Sequence, residues 1–154
     1  MKKIIYLFVA CCISTIATAQ KVTEKDLQGT WNLAAFNANG LHLDMATGTV
    51  TVSEELKSQL SPEMIVELNN SVKEGIAVLK TSSVVFTGKN TKQNIAGQEK
   101  SGTFLIKEIN GEQYIVTTYP DGSTSDTSVA IKDKKLYISK SEQGQTAELI
   151  FNKG

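Results

Sequence analysis

Arginine is absent from this 154-residue chain, and all sixteen basic residues are lysine. The planar guanidinium fork that reads phosphates and carboxylates in pairs is therefore missing. Cysteine occurs only as Cys11 and Cys12, within the first twenty residues. The rest of the chain can supply no disulfide, no thiolate metal site and no cysteine nucleophile. Histidine occurs once, as His42, which excludes a multi-histidine metal centre. No G-x-S-x-G nucleophile elbow is present to give His42 a serine partner, although Asp44, two residues on, could orient its ring. After the first twenty residues no apolar run approaches the roughly 20 residues that a membrane helix needs. These absences leave no metal or cofactor site in view and argue against an enzyme.

The opening residues carry an address. Lys2 and Lys3 precede the apolar run Ile4-Ile5-Tyr6-Leu7-Phe8-Val9-Ala10-Cys11-Cys12-Ile13, and small residues follow, ending in Ala17-Thr18-Ala19. A positive start, a short apolar core and an A-x-A ending predict a cleavable secretory signal over residues 1–19, with Gln20 as the new N-terminus. Lipid attachment at Cys11 or Cys12 is the alternative. It lacks the leucine that a lipoprotein signal usually has where Phe8 stands, and it leaves the Ala-Thr-Ala-Gln ending without a purpose. The expected location is periplasmic or secreted. Without residues 1–19 the chain keeps fourteen lysines against sixteen carboxylates, a formal charge of minus two. A weakly acidic chain without arginine is a poor nucleic-acid binder. One domain over residues 20–154 is the natural division, and about 135 residues bury a core that needs no disulfide.

Turn signals then recur at Thr87-Gly88, Ala96-Gly97, Asn110-Gly111, Asp121-Gly122, Asp133-Lys134 and Gln143-Gly144. Short runs rich in Val, Ile, Thr, Phe and Tyr lie between them, the pattern of consecutive antiparallel hairpins. Side-chain parity tests the register. A two-residue turn at Asp133-Lys134 pairs Ile131 with Leu136 and Val129 with Ile138. A turn at Gln143-Gly144 pairs Leu136 with Phe151 and Ile138 with Leu149. A two-residue turn at Asp121-Gly122 would pair Val129 with Tyr114 and Thr127 with Val116. At Asn110-Gly111 a two-residue turn would then carry Lys107 inside, which is costly without a partner. A three-residue turn with Gly111 left-handed avoids this and pairs Ile106 with Tyr114 and Phe104 with Val116. The expected interior is Phe104, Ile106, Tyr114, Val116, Val129, Ile131, Leu136, Ile138, Leu149 and Phe151. The expected outer apolar pairs are Leu105 with Ile115, and Tyr137 with Ile150.

Residues 53–80 break the meander. Ser61-Pro62-Glu63 is a helix start: a capping hydroxyl, a proline in the first turn and a carboxylate near the positive end. Ile65, Leu68, Val72, Ile76 and Leu79 follow at helical spacing. The spacing predicts one main helix near 62–80, with a shorter one before it from Ser53 to Leu60. An early β segment at about 28–52 precedes this insertion.

That early segment opens with Leu27-Gln28-Gly29-Thr30-Trp31-Asn32-Leu33. A G-x-W on the first strand, followed by a meander, resembles the lipocalin superfamily. The likeness is greatest to small secreted lipocalin-like proteins of Bacteroidetes, calycin-like barrels. It extends to Ser101-Gly102-Thr103-Phe104 and Lys135-Leu136-Tyr137-Ile138. It implies a mostly β fold, an up-and-down antiparallel barrel with a helical insertion, in which Trp31 plugs the narrow end. Relatives often lay a basic residue from a late strand over that tryptophan, and here only lysine can do so. The implied function is an exported binding protein for a small apolar ligand, lined by Phe104, Ile106, Tyr114, Val116, Val129 and Leu149. The alternative is a protein-interaction or inhibitor module of the cell envelope with a filled barrel, acting through Leu105, Ile115, Tyr137 and Ile150.

Overall fold

The computed structural model describes residues 21–142 and 144–154. The expected signal over residues 1–19 lies outside the described residues. A four-residue helix, α1 (Glu24–Leu27), leads into β1 (Gly29–Ala38). A side hairpin follows, β2 (Leu41–Asp44) and β3 (Val50–Val52), and then the helices α2 (Glu54–Gln59) and α3 (Pro62–Leu79). Seven more strands complete the chain: β4 (Ser83–Thr87), β5 (Asn90–Ile95), β6 (Gln98–Ile109), β7 (Glu112–Thr118), β8 (Thr124–Lys132), β9 (Lys135–Glu142) and β10 (Gln145–Lys153).

Every neighbour in the run β4 to β10 pairs antiparallel with the next, and β10 returns to pair with β1. β1 also pairs with β4, so β1 and β4 to β10 form a closed eight-strand barrel. Closure leaves this wall no free edge. β1 divides its other flank. Gly29 to Asn32 bond to β4, and Ala35 to Ala38 bond to β2. An irregularity between Leu33 and Ala35 shifts the register there. Such a bulge turns successive side chains to the opposite face, so Trp31 and Leu33 point inward before it and Phe36 after it.

The helical insertion begins where expected. Ser61 Oγ accepts the Met64 N–H at 3.3 Å, and Pro62 occupies the first turn. Val72, Ile76 and Leu79 lie against the main apolar cluster, with Ile76 buried. Of the exposed Met64, Val66 and Val78, Val66 lies on the side away from Met64, and Val78 shares the side of Met64 but stands about 21 Å further along a helix that advances about 100° and 1.5 Å per residue, so they form no continuous apolar face.

The barrel interior is an aromatic and aliphatic core. Leu27, Trp31, Leu136 and Phe151 are almost fully buried, with Phe86, Phe104, Ile115 and Val129 around them. The Phe86 and Phe104 rings meet edge to face at 4.9 Å, a favoured aromatic geometry. The N-terminal segment closes one end. A capping box sets α1, in which Thr23 and Asp26 exchange side-chain and backbone hydrogen bonds. Trp31 Nε1 donates to the Leu27 carbonyl at 2.7 Å. The Gln113 amide accepts the Val22 N–H at 2.6 Å and donates to the Val22 carbonyl at 2.9 Å. Gln28 does the same for Gly88 in the β4–β5 turn. The indole N–H, the Leu27 carbonyl and both backbone groups of Val22 are thus satisfied while Val22 and Leu27 seal the barrel base.

Two turns differ from the sequence reading, in compensating ways. Pro120 fixes the first corner of a type I turn, and Gly122 follows at φ 82°. Gly122 N–H donates to the Tyr119 carbonyl, and Tyr119 N–H donates to that of Ser123. The three-residue loop is therefore Pro120-Asp121-Gly122, not the turn at Asn110-Gly111. Asn110 and Gly111, at φ 52° and 83°, form a two-residue turn directly between Ile109 and Glu112. β7 consequently pairs Ile115 with Ile106 and with Thr127. Tyr114 and Val116 belong to the outer face and Ile115 to the inner one. Lys107 lies opposite Tyr114 on the outer face, in solvent, so the cost that argued against this turn never arises. The other two turns hold as read: Val129 faces Ile138, Ile131 faces Leu136, and both continue to Leu149 and Phe151.

Candidate functional site

The six residues expected to line a ligand chamber do not act together. Phe104 and Val129 are inward and buried in the core. Ile106 and Leu149 are inward and half-buried against it. Tyr114 is turned outward, and its hydroxyl donates to Glu112 Oε2 at 2.8 Å. That bond raises the phenol's pKa, with a smaller contribution from burial. Val116 is outward too, paired with Leu105. Of the expected outer residues, Ile115 is buried inside, Leu105 is exposed, and Tyr137 and Ile150 pair on the outer wall.

The inward surface changes character along the barrel axis. Around Trp31 it is fully buried. Further up β1 a cross-strand row runs from Leu43 on β2 through Phe36 on β1 and Leu149 on β10 to Ile138 on β9. Leu43 is buried, whereas Phe36, Leu149 and Ile138 stay only partly buried. This row is the inner apolar surface that remains partly accessible at the end away from Trp31. Val72 and Leu79 of α3 are partly buried against the same cluster. Phe36 was not legible as a lining residue, because the bulge near Leu33 reverses its side and leaves no mark in sequence periodicity.

The outer surface carries grooves instead. One of about 470 Å³ runs over β4 to β7 between Val85, Lys92, Thr103 and Tyr119. Another, of about 450 Å³, lies at the β1–β2 turn around Asn37, His42 and Glu148. Neither is lined by Phe104, Ile106 or Leu149. Asp44, the expected orienter of His42, is engaged elsewhere: its Oδ1 accepts the Thr47 N–H at 2.8 Å. Hydrogen bonds from Thr47 hold its carboxyl below the usual range. Among the described residues no three His, Cys, Asp or Glu side chains converge to hold a metal ion. No helix among them is long and apolar enough to cross a membrane. A basic side chain does reach the plugging tryptophan, with Lys153 Nζ lying 5.1 Å from the Trp31 ring centroid. No family model, curated protein or solved structure matches the chain.

Proposed function

We propose that this is an exported, non-catalytic, lipocalin-like binding protein that takes a small apolar molecule at the barrel end away from Trp31. The observation that carries the reading is the inward row of Phe36, Leu149 and Ile138. Apolar side chains on an inner wall are normally buried completely once a core has closed. Here Trp31, Leu33, Leu136 and Phe151 are, whereas these three, like Ile106 and Ile131, are not. A ligand covering them gains roughly 25 cal/mol for each Å² of apolar surface withdrawn from water. No inward charge pairs with a ligand head in this row, so a neutral, greasy molecule suits it better than an anion. The barrel closure, the N-terminal plug under Trp31 and the lysine on its ring support the lipocalin-like assignment. Export rests on the leader-like residues 1–19.

Titration with N-phenyl-1-naphthylamine, a neutral probe that brightens in apolar sites, tests the reading. Saturable enhancement is expected in the wild type, with a loss of at least tenfold in affinity for Leu149→Asn. Leu105→Asn, on the outer wall, should bind as the wild type does. Enhancement lost equally in both variants, or absent in the wild type, counts against an interior site. The surface-acting reading would then rest on Leu105 and Ile109, which are 41% and 47% exposed on one face of β6.

A further inference from the structure

The outer wall carries a row of neutral polar side chains, each directly opposite the next on neighbouring strands: Thr87 on β4, Asn90 on β5, Thr103 on β6 and Thr118 on β7. The alternation that turns Phe86, Thr91, Phe104 and Thr117 into the barrel turns these four out, and all four are exposed. They line the groove of about 470 Å³ together with Ser101, while Val85, Tyr119 and Pro120 give it apolar surface. Among the described residues, neither these hydroxyls nor the Asn90 amide hydrogen-bonds to another protein group. Elsewhere on the wall the exposed hydroxyls of Ser141 and Thr146 bond to each other at 2.8 Å. No carboxylate lines the groove. Its one charged residue, Lys92, is paired with Glu99 at 3.2 Å. Lys89, in the β4–β5 turn at one end of the row, is paired with Glu24 at 3.0 Å.

We propose that this groove binds a neutral glycan chain lying across β4 to β7. Neighbouring strands stand about 4.8 Å apart, close to the length of one sugar unit, so the row offers one polar side chain to each ring of an extended chain. A hydroxyl both donates and accepts, and an amide carries one group of each kind. They therefore meet a sugar hydroxyl in either orientation, and no charge has to leave water for them to do so. Val85, Tyr119 and Pro120 suit the C–H surfaces that sugar rings present between their hydroxyls. An anion would find Lys92 already engaged by Glu99. An extended peptide would find no ladder to join, because β4 to β7 are paired on both edges within the closed wall. Polar groups in a line, not in a ring, favour a chain over a compact molecule. The site lies outside the barrel and is independent of an interior ligand.

The test titrates a panel of neutral linear hexasaccharides into the ¹⁵N-labelled protein: cellohexaose, laminarihexaose, maltohexaose, mannohexaose, xylohexaose and chitohexaose. At least one is expected to bind saturably and to shift the amide signals of Thr87, Asn90, Thr103 and Thr118. Thr103→Val and Thr118→Val keep the size and the strand preference of the side chain and remove one hydroxyl each. Each should weaken that sugar about two- to tenfold, the range for a single neutral hydrogen bond. Thr51→Val, on the exposed face of β3, should bind as the wild type does. Leu149→Asn should leave the sugar bound while it weakens the interior probe, which separates a failure here from a failure of the interior reading. The proposal is overturned if no hexasaccharide of the panel saturates, or if both groove variants keep wild-type affinity. It is overturned too if hexagalacturonate displaces the neutral chains and is itself released by salt, since the groove then selects an anion through Lys92.

Discussion

Lys153 from the last strand lies over the ring of Trp31 on the first, 5.1 Å from its centroid, and the indole N–H on the same ring donates to the Leu27 carbonyl. The ring thus ties β10, β1 and the N-terminal plug together. Trp31→Ala should cost about 3–5 kcal/mol, the range for emptying a large buried aromatic site. Trp31→Phe keeps most of the packing but leaves the Leu27 carbonyl unpaired, at about 1–3 kcal/mol. Lys153→Ala, which removes an exposed cation–π contact and a long hydrogen bond to the Asp26 carbonyl at 3.5 Å, should cost about 0.5–1 kcal/mol. Urea unfolding of the three variants checks this order.

The turn assignments have a direct reading in β6 and β7. Ile115 is buried inside and Leu105 is 41% exposed outside. Ile115→Glu should prevent folding or remove several kcal/mol, because it buries an unpaired charge. Leu105→Glu should remain within about 0.5 kcal/mol of the wild type. Circular dichroism melts decide between them, and equal damage from the two would contradict the register.

Asp133 and Lys134 both occupy the left-handed region, at φ 50° and 62°. The tight turn between β8 and β9 requires this, but it costs an L-residue such as lysine about 1 kcal/mol. Replacing the pair with Asn-Gly should therefore stabilise the protein by about 0.5–1 kcal/mol. Gly111→Ala, at φ 83°, should destabilise it by a similar amount. Thermal midpoints moving in opposite directions would meet the expectation.

The fold was legible wherever a hairpin's turn left a single solution. Two-residue turns at Asp133-Lys134 and Gln143-Gly144 fix the registers of their strands, and those pairings stand although Leu136-Tyr137-Ile138 and Leu149-Ile150-Phe151 are apolar in succession. Across Asn110-Gly111 and Asp121-Gly122 the alternation is ambiguous, because Tyr114, Ile115 and Val116 are apolar in succession. Either face of β7 can then look inward. Pro120 held the deciding signal: a proline at the first corner with Gly122 two residues on favours the three-residue loop there. Assigning the extra residue to the other hairpin preserves the inward faces of β6 and β8, shifts them by two residues past each other and inverts only β7, so Tyr114 and Val116 exchanged places with Ile115. The β2–β3 side hairpin and α1 were less visible because their segments are too short for a periodic signal. The groove at the β1–β2 turn joins Glu148 and His42, 106 positions apart in sequence, and only the closing pair of strands brings them together.

Acid should loosen the N-terminal plug. Hydrogen bonds from Thr23 hold the Asp26 carboxyl below its ordinary 3.8. A carboxylate whose pKa is lower in the folded state contributes stability that is full above its unfolded value. That contribution is lost as pH falls through the folded value. Asp44 and Asp121 are lowered in the same sense by Thr47 and Ser123. Stability is therefore expected to decline below about pH 4. Thr23→Ala should remove Asp26's share, so the variant loses less than the wild type between pH 5 and pH 2. Urea midpoints measured across that range check the difference.

Among the described strands, the seam between β1 and β10 joins the first to the last. A growing chain can assemble the middle hairpins in turn, but β1 waits for its second partner until residues 145–153 are made. The wall stays open, and the Trp31 end without its lysine, for nearly the whole time of synthesis. Pairing across so long a stretch of sequence is also slow, on the order of milliseconds to seconds in barrels and sandwiches. The nine-residue β10 acts as a clasp that fastens only after the middle hairpins have formed, and a chain shortened before that strand has nothing with which to fasten.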